Sequence, residues 1–198
     1  MAKQIGRPRD SQLDDAILDA VAELLPQRGY TRTTIEAVIT RAGTTKTAFY
    51  RRYTDLADVI GALLARKYGL DSDVDTGGLV TDLQLIQARQ GELFRDPLIT
   101  RGMLGFLETV QLDADRADAF LNEFLRPRRL VTKAVIERAH DRGEIPALVD
   151  HEWICDLITG PLFFRAMLPG LAPIDDAFLA QTVDVALKGL GYIASRIV

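Results

Sequence analysis

Three cations and two aromatics fall within seven residues at Lys46-Thr47-Ala48-Phe49-Tyr50-Arg51-Arg52. On a helix, Phe49 and Tyr53 sit one turn apart and anchor inward. Thr47, Ala48, Tyr50 and Arg51 then project from the opposite side, with Lys46 and Arg52 on the flanks. That surface suits double-stranded DNA. Arg51 is the candidate for bidentate contact with guanine O6 and N7, while Thr47 and Ala48 permit close approach and offer methyl groups to thymine. Lys46 can reach a base or a phosphate. Tyr50 and Arg52 suit phosphates, as do Thr33 and Thr34 at the start of the preceding helix, where free amides point outward. For Tyr50 a second reading stays open, a packed aromatic with only its hydroxyl at the surface.

The elements that must hold this surface are legible around it. Thr33 with Glu36 reads as a capping box, and Ile35, Val38, Ile39 and Ala42 share one helical face. Gly43 suits the left-handed residue that closes such a helix, and Thr45 can cap the next, Lys46 to about Tyr53. Upstream, Leu13, Ile17, Ala20, Val21 and Leu24 form an apolar stripe on a helix capped by Asp10 or Ser11 and ended by Pro26 and Gly29. Three helices with a tight final turn make a compact helix-turn-helix unit. From the segment alone, an ordinary helical hairpin is the competing reading. The basic arm Gly6-Arg7-Pro8-Arg9 is kept extended by proline, so Arg7 can enter a minor groove. A disordered tail in the free protein is compatible with that role.

Composition agrees. The 198 residues, 47% of them hydrophobic, have room for this unit and a larger domain with a core. Formal net charge is −4. Residues 1–67 carry 11 Lys/Arg against 8 Asp/Glu, leaving 13 against 20 beyond, so the basic excess lies with the helix-turn-helix. A single cysteine, Cys155, leaves no internal disulfide and no multi-cysteine metal site. No apolar run reaches the ~20 residues that span a bilayer, and the N-terminus lacks a secretory core. The expectation is a cytoplasmic protein.

The order TTIEAVITRAG, then TKTAFYRRY, then a longer helix resembles the TetR family of bacterial transcriptional regulators over about Leu13–Val59. The resemblance makes Thr45 to Arg52 the DNA-contact stretch and divides the chain at 1–54 (arm and DNA-binding domain) and 55–198 (regulatory, ligand-binding and dimerisation domain). Thr44 replaces a usual apolar residue, Ile39 a usual alanine, and Leu56 a frequent lysine that would contact phosphate.

From Asp55 onward the pattern is helical throughout, so the fold class is all-α. Helices are expected at about Asp55–Tyr68, Leu79–Phe94, Pro97–Gln111, Asp115–His140, Asp150–Leu168 and Asp175–Arg196, with Pro161 kinking the fifth. FLRPRRLVTKAVIERAHDRGEI, DHEWICDLITGPLFFRAML and IDDAFLAQTVDVALKGL resemble the regulatory domain of one TetR-like subgroup. The resemblance implies pairing of the last two helices with those of a second copy, for which Phe178, Val185, Gly189 and Ile193 are candidates. It also implies a pocket for a small-molecule effector, with Phe94, Met103, Phe106, Phe120, Phe124, Trp153 and Phe163 as candidates. Burial inside one subunit explains either set as well. An apolar pocket would favour an uncharged or aromatic effector.

Enzyme chemistry finds no support. His140 and His151 have no metal-ligand partner at helical spacing, and no phosphate loop, nucleophile elbow or carboxylate pair stands out. No cofactor and no metal site is expected. The expected function is a homodimeric, effector-released regulator, most simply a repressor, on a palindromic operator. The alternative is a helical ligand- or partner-binding module that has lost DNA recognition.

Overall fold

The computed structural model describes residues 8–69 and 74–192, and among them every regular element is helical. Ten α-helices follow one another: α1 Pro8–Arg28, α2 Ile35–Ala42, α3 Lys46–Tyr50, α4 Leu56–Lys67, α5 Leu79–Arg95, α6 Pro97–Gln111, α7 Ala114–Ala119, α8 Arg126–Asp141, α9 His151–Met167 and α10 Asp176–Gly189. A 3-10 turn, Tyr30–Arg32, precedes α2, and a π-helical turn, Phe120–Leu125, precedes α8. No described helix is long and apolar enough to cross a membrane.

Packing divides the chain into two units. The first contains Met1–Gly69 and Arg101–Phe120; the second contains Leu70–Thr100 and Leu121–Val198. In the first, α1 packs on α2 and α4, and α2 on α3. Ile17, Val21 and Leu25 of α1, Val38 of α2, Phe49 of α3 and Ile60, Leu63 and Leu64 of α4 are among its buried apolar side chains. In the second, α5 contacts α8, α9 and α10 around a core that includes Leu79, Leu83, Ile136, Ile154, Ile158 and Val183.

Within the first unit, the later half of α6 lies close against α1 and the 3-10 turn. Its glycines explain how: a Cβ on Gly102 would lie 2.6 Å from a Leu25 methyl, and one on Gly105 would lie 2.4 Å from the Tyr30 ring. Tyr30 Oη and Thr109 Oγ1 then share a hydrogen bond of 2.8 Å. Gly105→Ala is therefore expected to cost ~1–3 kcal/mol through overpacking. Gly61→Ala, within α4 and with open space around it, should instead stabilise by ~0.5–1 kcal/mol. Chemical denaturation of the two variants checks the pair, and equal effects would contradict the α6 approach.

Several sequence expectations need correction. The first helix begins at Pro8 and runs through Pro26, so residues 10 and 11 lie inside it rather than capping it. Gly29, at φ 76°, ends it. The single helix expected over Asp115–His140 is broken into α7, the π-helical turn and α8. Pro127 enters the first turn of α8; it brings no amide hydrogen for the preceding turn, so an uninterrupted α-ladder cannot pass that point. The last helix ends at Gly189 rather than near Arg196, with Gly191 at φ 65° just beyond it.

Candidate nucleic-acid interface

The local geometry of α2 and α3 follows from four residues. Thr34 stands in extended backbone (φ −89°, ψ 152°), and its Oγ1 accepts from the Ala37 amide at 3.2 Å. Gly43 takes the left-handed conformation (φ 62°, ψ 35°), while the Thr44 amide returns to the Ile39 carbonyl at 3.1 Å. Thr45, again extended, accepts from the Ala48 amide at 3.2 Å and starts α3. Phe49 then seats the helix, with no accessible surface, its ring edge-on to Tyr50 at 5.4 Å and tilted against Tyr53 at 5.9 Å. Burial, reinforced by the Asp14 charge, raises the Tyr53 phenol above its ordinary pKa.

With Phe49 facing inward, Lys46, Thr47, Tyr50 and Arg51 are exposed and Ala48 is partly so. Arg51 caps α3 from an αR conformation, and its guanidinium bonds to no other described residue. Lys46 Nζ lies 4.0 Å from Glu36 Oε1 and 5.9 Å from the Tyr50 ring centre. An exposed pair of this length holds weakly, so Lys46 can exchange Glu36 for a phosphate. The first-turn amides of α2 and α3 have no partner within their helices, as at any helix start, which favours anions there.

Two expected contact residues are otherwise engaged. Thr33 is not the cap of α2 and is only 4% exposed; its Oγ1 donates to the Gly29 carbonyl at 2.8 Å and its amide donates to Tyr30. The Thr33–Glu36 capping box is thus replaced by a cap on Thr34. Arg52 has a side chain only 10% exposed, with Nε 2.8 Å from Asp14 Oδ1 and Nη1 donating to the Ala48 carbonyl at 3.4 Å. It braces α3 against α1 instead of reaching a phosphate. No local signal marks Asp14 as its partner, because the two are far apart in sequence. Leu56, in place of the lysine that the resemblance led one to expect, is buried in the first turn of α4. Arg7 lies outside the described residues.

The effector candidates divide between the units. Met103, Phe106 and Phe120 belong to the first, where Phe106 and Phe120 meet edge-on at 5.3 Å. Phe94, Phe124, Trp153 and Phe163 belong to the second. There Phe94 meets Phe163 at 6.3 Å, and the Arg128 guanidinium lies 3.6 Å from the Phe124 ring. Trp153 departs from the expectation of a pocket residue: it stands 58% exposed on α9. Phe164 is exposed on the same helix, at i+11 from it; Leu168, just past the end of α9, and Val185 on α10 are exposed too. The helical spacing of Trp153 and Phe164 places them on one face and is legible in the sequence. Of the other self-association candidates, Gly189 is exposed, Phe178 is partly covered with Arg165 over its ring at 3.5 Å, and Ile193 lies outside the described residues.

Comparison with known proteins covers both units. Residues 17–63 match the family described as bacterial regulatory proteins, tetR family. Residues 73–186, more than half of the chain, match the tetracyclin repressor-like C-terminal domain. The chain is 30% identical to the uncharacterized HTH-type transcriptional regulator YdeS of Bacillus subtilis, over 96% of each. It is 33% identical to a DNA-binding transcriptional repressor TetR of Mycobacteroides abscessus, over 87% of this chain and 90% of that one. Among solved structures, the TetR family transcription regulator SCO0332 superposes with a TM-score of 0.66 at 26% identity, covering 90% of this chain and 98% of the other. The fold is also that of a Bacillus subtilis transcriptional regulator FadR solved with stearoyl-CoA (TM-score 0.66, 18% identity, 89% and 97% coverage).

Proposed function

Since the chain belongs to the TetR family of bacterial transcriptional regulators, we propose that it represses transcription as a homodimer that grips a palindromic operator and is released by a small-molecule effector. DNA reading is assigned to residues 1–54 and effector binding with self-association to residues 55–198. The observation that carries this reading is the two-sided α3: Phe49 locks one side into the unit's core, while Lys46, Thr47, Tyr50 and Arg51 stand clear on the other. Thr34 and Thr45 place helix starts beside them. The set proposed to meet DNA is Thr34, Thr45, Lys46, Thr47, Ala48, Tyr50 and Arg51, with Arg7 reaching the minor groove.

A symmetric pair would present two α3 helices to successive major grooves, about 34–36 Å apart if the half-sites lie one turn apart. The exposed Trp153, Phe164, Leu168 and Val185 supply the apolar surface for that pairing. Release asks that the effector favour the unbound conformation strongly. Moving occupancy from mostly bound to mostly free takes ~5.5 kcal/mol of differential affinity. Cytoplasmic location follows from the proposed target.

Selection of genomic fragments by the purified protein tests the reading. The expected result is an inverted repeat, with affinity falling as salt rises by close to one log unit per log unit for each phosphate contacted. Recovery of fragments without a shared motif would contradict it and favour a module without DNA recognition. On the recovered operator, Arg51→Ala should lose ~1–3 kcal/mol and relax preference at one base pair per half-site, while leaving non-specific binding nearly unchanged.

A further inference from the structure

Immediately after α3, the start of α4 is held by a residue distant in sequence. Asp55 caps α4, its Oδ1 accepting from the Asp58 amide at 3.1 Å. The same carboxylate receives Arg116 Nη1 of α7, at 3.0 Å on Oδ1 and 2.7 Å on Oδ2. Arg116 Nη2 donates to Thr54 Oγ1 at 3.1 Å and lies 3.4 Å from Asp58 Oδ1. Its Nε lies 3.1 Å from Asp113 Oδ2. Thr54 is itself tied to Asp58, through its amide at 2.8 Å and through its hydroxyl.

One guanidinium therefore gathers three carboxylates and the hydroxyl that follows the recognition helix. The side chain is 22% exposed, so these bonds are only partly screened by water. Burial alone would lower the Arg116 pKa, but the bond to Asp55 and the charges of Asp55, Asp58 and Asp113 raise it overall. Without Arg116, three negative charges would face each other at the α3–α4 junction, and like charges at this range repel.

We propose that Arg116 is a positioning residue for DNA recognition: by clamping Thr54, Asp55 and Asp58 it sets the angle at which α3 meets the major groove. The inference rests on the assignment of α3 as the reading helix. It also gives the control of that angle a physical carrier. Segment Arg101–Phe120 packs in the first unit, yet it enters from Thr100 and leaves to Leu121, both in the second. Arg116 is the side chain of that segment that bonds to Asp55.

The test compares Arg116→Gln, Arg116→Lys and Asp55→Asn in the full-length protein, using the selected operator and a random duplex of equal length. Asparagine still caps a helix, so Asp55→Asn removes the charge and keeps the cap. Arg116→Gln should weaken operator binding tenfold or more while changing random-duplex binding less than twofold. It should also broaden the tolerated half-site spacing. Arg116→Lys should recover part of the loss. In the Arg116→Gln background, Asp55→Asn should cost less than it does alone, because the ion pair is already lost and one of the three repelling charges is removed. An unchanged ratio of operator to random-duplex affinity in Arg116→Gln overturns the inference. If circular dichroism shows that this variant does not fold, an unchanged ratio in Asp55→Asn overturns it equally. Wild-type protein lacking operator preference would instead strike the assignment of α3 itself.

Discussion

Phe49→Ala is expected to destabilise the DNA-binding unit by ~3–5 kcal/mol, the range for truncating a fully buried aromatic side chain. Phe49 has no accessible surface and meets both Tyr50 and Tyr53 at ring-contact distance. Its removal would delete the principal buried side chain of a five-residue helix. A helix that short has almost no intrinsic stability and exists because packing holds it. The loss is a large share of the ~5–15 kcal/mol that holds a typical domain together. Denaturant unfolding should show an early transition for this unit. Operator affinity should disappear, because the outward side chains lose their platform. Phe49→Leu, which keeps most of the apolar volume, should recover much of both. A midpoint unchanged in Phe49→Ala would mean that α3 is not seated through this ring.

The other large effect is expected at the outer face of α9. Trp153→Glu should convert the dimer to monomer at concentrations where the wild type is fully paired. Tryptophan at the centre of an interface commonly contributes ~2–4 kcal/mol, and a two-fold arrangement applies each change twice. Trp153 and Phe164 expose 58% and 59% of their surface and are offered to a partner helix. Gly160 lies between them in the helix, with nothing within 4 Å of where its Cβ would stand, so a partner helix can approach closely there. Sedimentation equilibrium reads the association directly. Operator affinity should fall in parallel, since a monomer engages only one half-site. Val185→Glu on α10 should act in the same direction more weakly. A Trp153→Glu protein that remained dimeric would place the self-association surface elsewhere.

Local chemistry was readable wherever one residue type suits only one backbone role. Gly43 in the left-handed region and Thr45 before α3 occupy their expected places, and α4, α9 and α10 start one residue after the expected Asp55, Asp150 and Asp175. These devices act within one helical turn, so a short window of sequence contains all of their physics. The outward set around Arg51 was readable for a related reason: once Phe49 is taken as the inward anchor, helical periodicity orients its neighbours.

What failed did so where a second group competes for the same atoms, whether one turn away or far along the chain. Thr33 and Thr34 are equally good caps in isolation. The Gly29 carbonyl takes the Thr33 hydroxyl and leaves Thr34 to start α2. Arg52 looks like Arg51 in sequence, and Asp14 on α1 decides that one braces while the other stays outside. Trp153 reads as core by composition, yet packing leaves it at the surface.

The chain by itself thus determined the all-helical class, the turn between α2 and α3 and the inward and outward sides of α3, because each depends on propensity, capping and period over a few residues. Only the tertiary structure decided which cations remain available and that residues 101–120 pack with the DNA-binding unit. It alone brought Arg116 to the start of α4, sixty-one positions after Asp55. Those outcomes depend on burial and on charge pairs closed across long loops, and a local stretch of sequence carries no information about which pairs will close.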